Sequence, residues 1–213
     1  MSFTLANILT GLKNTLLVTG AGFLIGCALG FPLALARQYG HPLLRYLIWV
    51  LVDIVRGIPT ILWLFLLYYT LAQGAVTMGA MTASIIAIAI IASAHMSENY
   101  RTGFKAVSKG QWESSRALGM SEPTLLYWVV VPQVMRVSVP PAITLAIGLL
   151  KESAIVSVIG VHDITYFAFT EVQRNLNGLQ VYASIALIYI ALSLVVAYAG
   201  SRIEASLRRR ALG

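Results

Sequence analysis

Charge is scarce in this 213-residue chain. Asp, Glu, Lys and Arg together make 11% of it, against 58% hydrophobic residues and a mean hydropathy of +0.80. A soluble domain carries roughly 25% charged residues, so the composition excludes an ordinary water-soluble globule and reads as an integral membrane protein. Cysteine is nearly absent. Cys27 is alone and lies inside an apolar run, which excludes an internal disulfide and a cysteine metal cluster and leaves a small packing residue. No G-x-x-x-x-G-K-[ST] stretch occurs, so the chain has no phosphate-cradling loop of its own. Histidine is rare too: no His stands with Asp, Glu or Cys at metal-ligand spacing within one apolar run, and no metal site is expected. His95 reads as a packing residue, and His162 with Asp163 lacks a third ligand nearby. The first residues lack a basic n-region and an A-x-A cleavage site, so the first apolar segment is expected to stay as a membrane helix.

What is present is a series of apolar runs of about 20 residues, the length that crosses a hydrocarbon core as a helix and too long for barrel strands. They cover residues 15–36, 47–71, 81–97, 142–160 and 181–200, which predicts one all-α transmembrane domain of five helices over residues 1–213. The second run is interrupted by Asp53, Arg56, Gly57 and Pro59. The net charge of +7 comes from residues at the ends of these runs, not from a patch interleaved with aromatics, which excludes a nucleic-acid surface. With the amino terminus outside, the inner segments hold 11 of the 15 basic residues and the outer segments only Lys13 and Arg174. The positive-inside rule therefore predicts an outside amino terminus, a cytoplasmic carboxyl terminus and a cytoplasmic loop over residues 98–141.

That loop contains a short helix signal. Ser108 and Gln111 have capping-box spacing, and Gly119 supplies a left-handed stop. Trp112 shares a face with Ser115 or Arg116. A helix this short needs something to pack on. Composition alone leaves two readings open: a helix lying on lipid headgroups, or one docked into another protein.

The order of residues goes further. Glu113-Ser114-Ser115-Arg116-Ala117-Leu118-Gly119, followed by Val130-Val131-Pro132-Gln133, resembles the EAA loop of ATP-binding-cassette importer permeases, with its E-A-A, glycine and I-x-L-P. Val52-Asp53-Ile54-Val55-Arg56-Gly57-Ile58-Pro59 is similar to the R-G-T-P stretch of the permeases for polar amino acids. Lys151-Glu152 and the following Ser153-Ala154-Ile155-Val156-Ser157-Val158-Ile159-Gly160 resemble that group's K-D-T-S-L-V-S-V-I-G, and residues 98–113 match as well. Ser114 and Ser115 replace two alanines, Ile58 a threonine, and Glu152 an aspartate. The resemblance implies a MetI-like permease fold in a bacterial cytoplasmic (inner) membrane, surrounded by lipid. It implies a second permease subunit, a cytoplasmic ATPase dimer carrying ATP and Mg, and an extracytoplasmic amino-acid-binding protein. No cofactor is implied on this chain itself. The helix over Gln111, Trp112, Glu113, Arg116, Ala117, Leu118 and Gly119 would be the coupling helix, with Trp112 and Leu118 as buried anchors and Glu113 and Arg116 setting orientation.

Ionisable groups inside a span are costly and call for a reason. Asp53 and Arg56, three apart, either pair with each other or line the path. Glu98 is expected to bridge to Arg101. Lys151 and Glu152 sit midway along the fourth run, where Glu152 either approaches substrate or pairs with Arg56 or Lys151. With Ser153 these form the candidate substrate path, and its carboxylates lean toward a polar or cationic amino acid. A passive channel or accessory subunit is the alternative.

Overall fold

The computed structural model describes residues 5–73 and 78–209, and every described element is helical. Four helices are long and apolar enough to cross a membrane, and one bent pair passes the same test jointly. Helix α1, Leu5–Tyr39, packs along α4, Ala80–Ala106, which is the most buried element of the fold. Their contact depends on glycine. Gly22, Gly26 and Gly30 recur every fourth residue and lie against Ile88, Ala92 and Met96 in turn, so the two helices run parallel at backbone-to-backbone distance.

The second apolar run is not one helix. Helix α2, Pro42–Gly57, and α3, Thr60–Gln73, meet at a bend of 101°. Pro59 cannot donate a helix bond and pushes the residue before it out of the helical region, and Ile58 is extended at φ −90° and ψ 130°. Trp63 closes the corner by donating its indole N–H to the Val55 carbonyl at 3.1 Å. The single span expected over 47–71 is thus corrected to a broken one.

The stretch expected as a cytoplasmic loop, 98–141, is largely helical as well. Helix α4 continues nine residues past the expected stop at Ser97, α5 spans Lys109–Ala117, and α6 spans Glu122–Leu125. A π-helical turn, Leu126–Val130, leads into α7, Val131–Glu152. Pro132 lacks the N–H that would bond four residues back, and the Val131 N–H reaches five back to the Leu126 carbonyl. Helix α7 is antiparallel to α4: Val134 and Ser138 lie beside Gly103, while Leu149 packs with Ile88 and Ile91 at the other end. A 3₁₀ turn, Ser153–Ile159, ends at Gly160 with φ +85°. Helix α8, Ile164–Asn175, was not anticipated, and α9, Gly178–Arg209, runs back along α7 with Gly200 against Ile143. Leu187, Leu194 and Val195 of α9 remain exposed, as lipid-facing side chains should.

The parallel and antiparallel pairings place the ends of α1, α4 and α9, together with α5, on one side of the molecule. The start of α1 and helix α8 lie on the other.

Candidate functional site: a docking arm and a charged cleft

Helix α5 projects from the end of α4 as a short arm. Ser108 is its N-cap in extended geometry, but its side chain makes no cap hydrogen bond, so the expected capping box does not form. Gln111 instead accepts at 3.5 Å from the Gln133 amide, which also donates to the Val129 carbonyl at 2.9 Å; the arm is thereby tied to the start of α7. At the far end Gly119 takes φ +74°, a conformation that costs any L side chain roughly 1–2 kcal/mol. Met120 N–H then bonds the Ser115 carbonyl, and the chain turns back toward α6.

One face of the arm is committed to its own chain. Trp112 is half-buried against Tyr39, with ring centroids 6.4 Å apart, at the edge of a cluster containing Phe104, Val107 and Leu125. Ser115 is buried beside it. The Arg116 guanidinium lies over the Trp112 ring at 5.9 Å and donates through Nε to Glu122 at 2.7 Å. That hydrogen bond raises the Arg116 pKa above its ordinary value. Trp112 and Arg116 therefore hold the arm against α1 and α6, a role not foreseen for either. The opposite face is open: Glu113 and Ala117 are exposed, and Leu118 is 82% exposed.

A cleft of about 400 Å³ opens on the same side of the molecule, between α1, α2 and α4. Glu98 lies at its base and is held from two helices. Arg37 of α1 donates to it at 3.0 Å, and Arg101 donates through Nε at 2.9 Å and through Nη2. Asp53 and Arg56 lie across from it on α2, 4.0 Å apart and both partly exposed, a loose intrahelical pair. Tyr46 and Trp49 complete its lining.

The remaining candidates lie elsewhere. Glu152, at the end of α7, accepts from the Thr60 hydroxyl at 2.8 Å, which connects it to the first turn after the Pro59 bend. Among the described residues it forms neither of the ion pairs considered for it, with Arg56 or with Lys151, and Lys151 is exposed. Ser153 is fully buried and spends its hydroxyl on the Leu150 carbonyl at 2.7 Å, so it does not face an open path. The structure thus joins Asp53, Arg56 and Glu98 in one cleft and sets Glu152 beside Thr60.

Residues 22–209 match the family described as the binding-protein-dependent transport system inner membrane component. The chain belongs to that family. Among its relatives in Bacillus subtilis are the L-cystine transport system permease protein TcyB, 32% identical with 93% of this chain and 86% of TcyB covered, and the arginine transport system permease protein ArtQ, 31% identical with 94% and 92% covered. A solved structure described as an amino acid ABC transporter with histidines shares 32% identity and a TM-score of 0.86, covering 94% of each chain. The MetNI methionine ABC transporter in an inward-facing conformation, at 21% identity, matches with a TM-score of 0.79 over 94% of this chain and 95% of its own, and shows the same MetI-like fold. As an inner membrane component of a transport system, the chain is a transport subunit and not an enzyme.

Three residues of this permease take roles that the sequence reading did not assign to them. Arg37 reads as a topology signal at the end of an apolar run, yet its side chain is only 7% exposed and clasps Glu98. Thr60 is unremarkable in sequence except that it follows Pro59. Asp163, at the turn before α8, is fully buried and caps that helix by accepting the Tyr166 N–H at 2.8 Å. The glycine stripe on α1 went unread as well, although small residues spaced four apart in an apolar run are a known signature of close helix contact.

Proposed function

We propose that this chain is the pore-forming permease subunit of an ATP-binding-cassette importer that carries polar amino acids into the bacterial cytoplasm. The single observation that carries this reading is the α5 arm: a nine-residue helix fastened to its own chain along one face and open along the other, with Leu118 exposed at its end. Such a helix is fit to seat in a partner's groove and to pass a rigid-body displacement into α4 and α7. The names of its relatives, permeases for L-cystine, arginine and glutamine, support an amino-acid cargo.

The excess of basic residues on the side carrying α5 supports a cytoplasmic arm, an outside amino terminus and a cytoplasmic carboxyl terminus. Because α1 and α4 run parallel, the bent α2–α3 pair must return the chain across the bilayer once, giving five crossings in one transmembrane domain. Gln111 through Gly119 couple to an ATPase dimer that carries the ATP and Mg, while this chain holds no cofactor. A second permease subunit completes the path, and an extracytoplasmic binding protein delivers cargo to the face bearing α8. Within the path, Asp53, Arg56, Lys151 and Glu152 are the polar groups nearest the substrate, Glu98 is held beside them by Arg37 and Arg101, and Ser153 supports the helix that presents Glu152.

The test is ATP-driven amino-acid uptake into proteoliposomes holding the complete complex. Leu118→Asp is expected to abolish ATPase co-purification and uptake while leaving membrane insertion intact. Retained uptake by that variant, or uptake by this chain without any ATPase, would overturn the proposal in favour of a passive channel.

A further inference from the structure

The cleft between α1, α2 and α4 has a charge balance opposite to the one its carboxylates imply when read along the sequence. Arg37, Arg45, Arg56 and Arg101 face Asp53 and Glu98, a formal surplus of two positive charges. Glu98 is not available to a cationic ligand, because it already accepts from both Arg37 and Arg101. Of the two surplus charges, one lies on α2, which carries Arg45 and Arg56 against Asp53, and the other on Arg37 and Arg101 against Glu98. Arg56 and Asp53 share only a 4.0 Å contact, and the Arg45 side chain has no hydrogen-bond or ion-pair partner among the described residues. The cleft thus offers two guanidinium groups, which match the planar geometry of a carboxylate or phosphate, against one loosely held carboxylate.

We infer that this cleft receives the carboxylate end of the cargo and favours amino acids with neutral or acidic side chains over cationic ones. The inference rests on the amino-acid permease reading above and sharpens its substrate class. Arg45 and Arg56 bind the anionic group, while Arg37 and Arg101 are positioning residues that keep Glu98 neutralised and out of the ligand's reach. A lysine-like or arginine-like cargo would bring an extra positive charge to an already positive cavity, where Asp53 alone is loosely enough held to pair it. A lipid phosphate has the same oxyanion chemistry, and the test separates the two.

The full chain, purified and placed in phosphatidylcholine nanodiscs, is titrated with radiolabelled L-glutamate in competition with L-glutamine and L-arginine. Glutamate and glutamine are expected to compete about tenfold better than arginine, and Arg45→Gln and Arg56→Gln each to weaken glutamate binding about fivefold while leaving arginine unchanged or improved. Arg37→Lys is expected to retain binding, and the double variant Arg37→Gln with Arg101→Gln to shift the preference toward arginine by freeing Glu98. A parallel titration uses discs containing phosphatidylglycerol. If that lipid suppresses glutamate binding and raises the thermal midpoint only when Arg45 is present, the cleft belongs to a headgroup and the inference fails. It also fails if arginine binds as tightly as glutamate, or if no amino acid binds. In either of those cases, ATP-driven uptake by the complete complex would leave the permease reading standing, whereas loss of all ATP-driven amino-acid uptake would remove that reading itself.

Discussion

Adding one methyl group to α1 should have opposite effects at two glycines six residues apart. A Cβ built on Gly26 meets the Ala92 carbonyl carbon and the Ser93 nitrogen at 2.9 Å, whereas one built on Gly20 meets nothing within 4 Å. At Gly26 the Ala92 Cβ is closer still, and like these backbone atoms it cannot rotate away, so α1 must move off α4 by about 1 Å to reach an ordinary contact of 3.4–4 Å. Overpacking of this kind costs about 1–3 kcal/mol. Against it stands the helix-propensity gain of Gly→Ala, about 1 kcal/mol. Gly26→Ala should therefore destabilise by about 1 kcal/mol net, and Gly26→Leu by about 3 kcal/mol, while Gly20→Ala should stabilise by up to about 1 kcal/mol. Unfolding in mixed micelles with increasing SDS, followed by tryptophan fluorescence, measures each difference directly. If Gly26→Ala proves as stable as wild type, or if both alanine variants shift in the same direction, then the parallel glycine contact between α1 and α4 is not how these helices meet.

Removing one partner of a charged cluster exposes the other, so Arg37→Met should destabilise by about 2 kcal/mol, and the double variant Arg37→Met with Glu98→Met should recover part of that in the same SDS assay. Burial pushes the Asp163 carboxyl up to about 6 from the ordinary 3.8. The folded state therefore holds this proton more tightly than the unfolded chain, and the contribution to stability is full below about pH 4 and lost as pH rises through about 6. Asp163→Asn, which can still cap α8, should be more stable than wild type by about 3 kcal/mol at pH 7.5 and about equal to it at pH 4; equal stability at pH 7.5 would contradict the burial argument. Gly119→Ala places a side chain at φ +74° and should cost about 1 kcal/mol. Gly119→Pro is incompatible with that φ, because the proline ring fixes φ near −65°, and it should uncouple ATP hydrolysis from uptake, read as ATPase turnover per amino acid accumulated in proteoliposomes.

Some of this molecule was settled along the chain itself. Hydropathy located the apolar middle of each long helix, because burying apolar surface in lipid depends on the composition of about 20 consecutive residues, but α1, α4, α7 and α9 each run nine to eleven residues past one expected end. The end of the arm at Gly119 and the break at Pro59 were legible for the same reason: each follows from the backbone freedom of one or two residues. Tertiary structure decided which way the chain turned at that break, and the bend of 101° follows from how α2 and α3 pack, not from Pro59 alone. It also decided how the charges combine. Arg37 meets Glu98 across 61 residues, and Thr60 meets Glu152 across 92. Such meetings depend on the rotation and vertical register of whole helices, set by contacts like Gly26 on Ala92: the glycine spacing marks a close contact, but no local pattern names its partner. The same packing turned Trp112 inward and Leu118 outward on one short helix, and it gave the cleft a formal surplus of two positive charges, where the carboxylates in the sequence leaned toward a polar or cationic cargo.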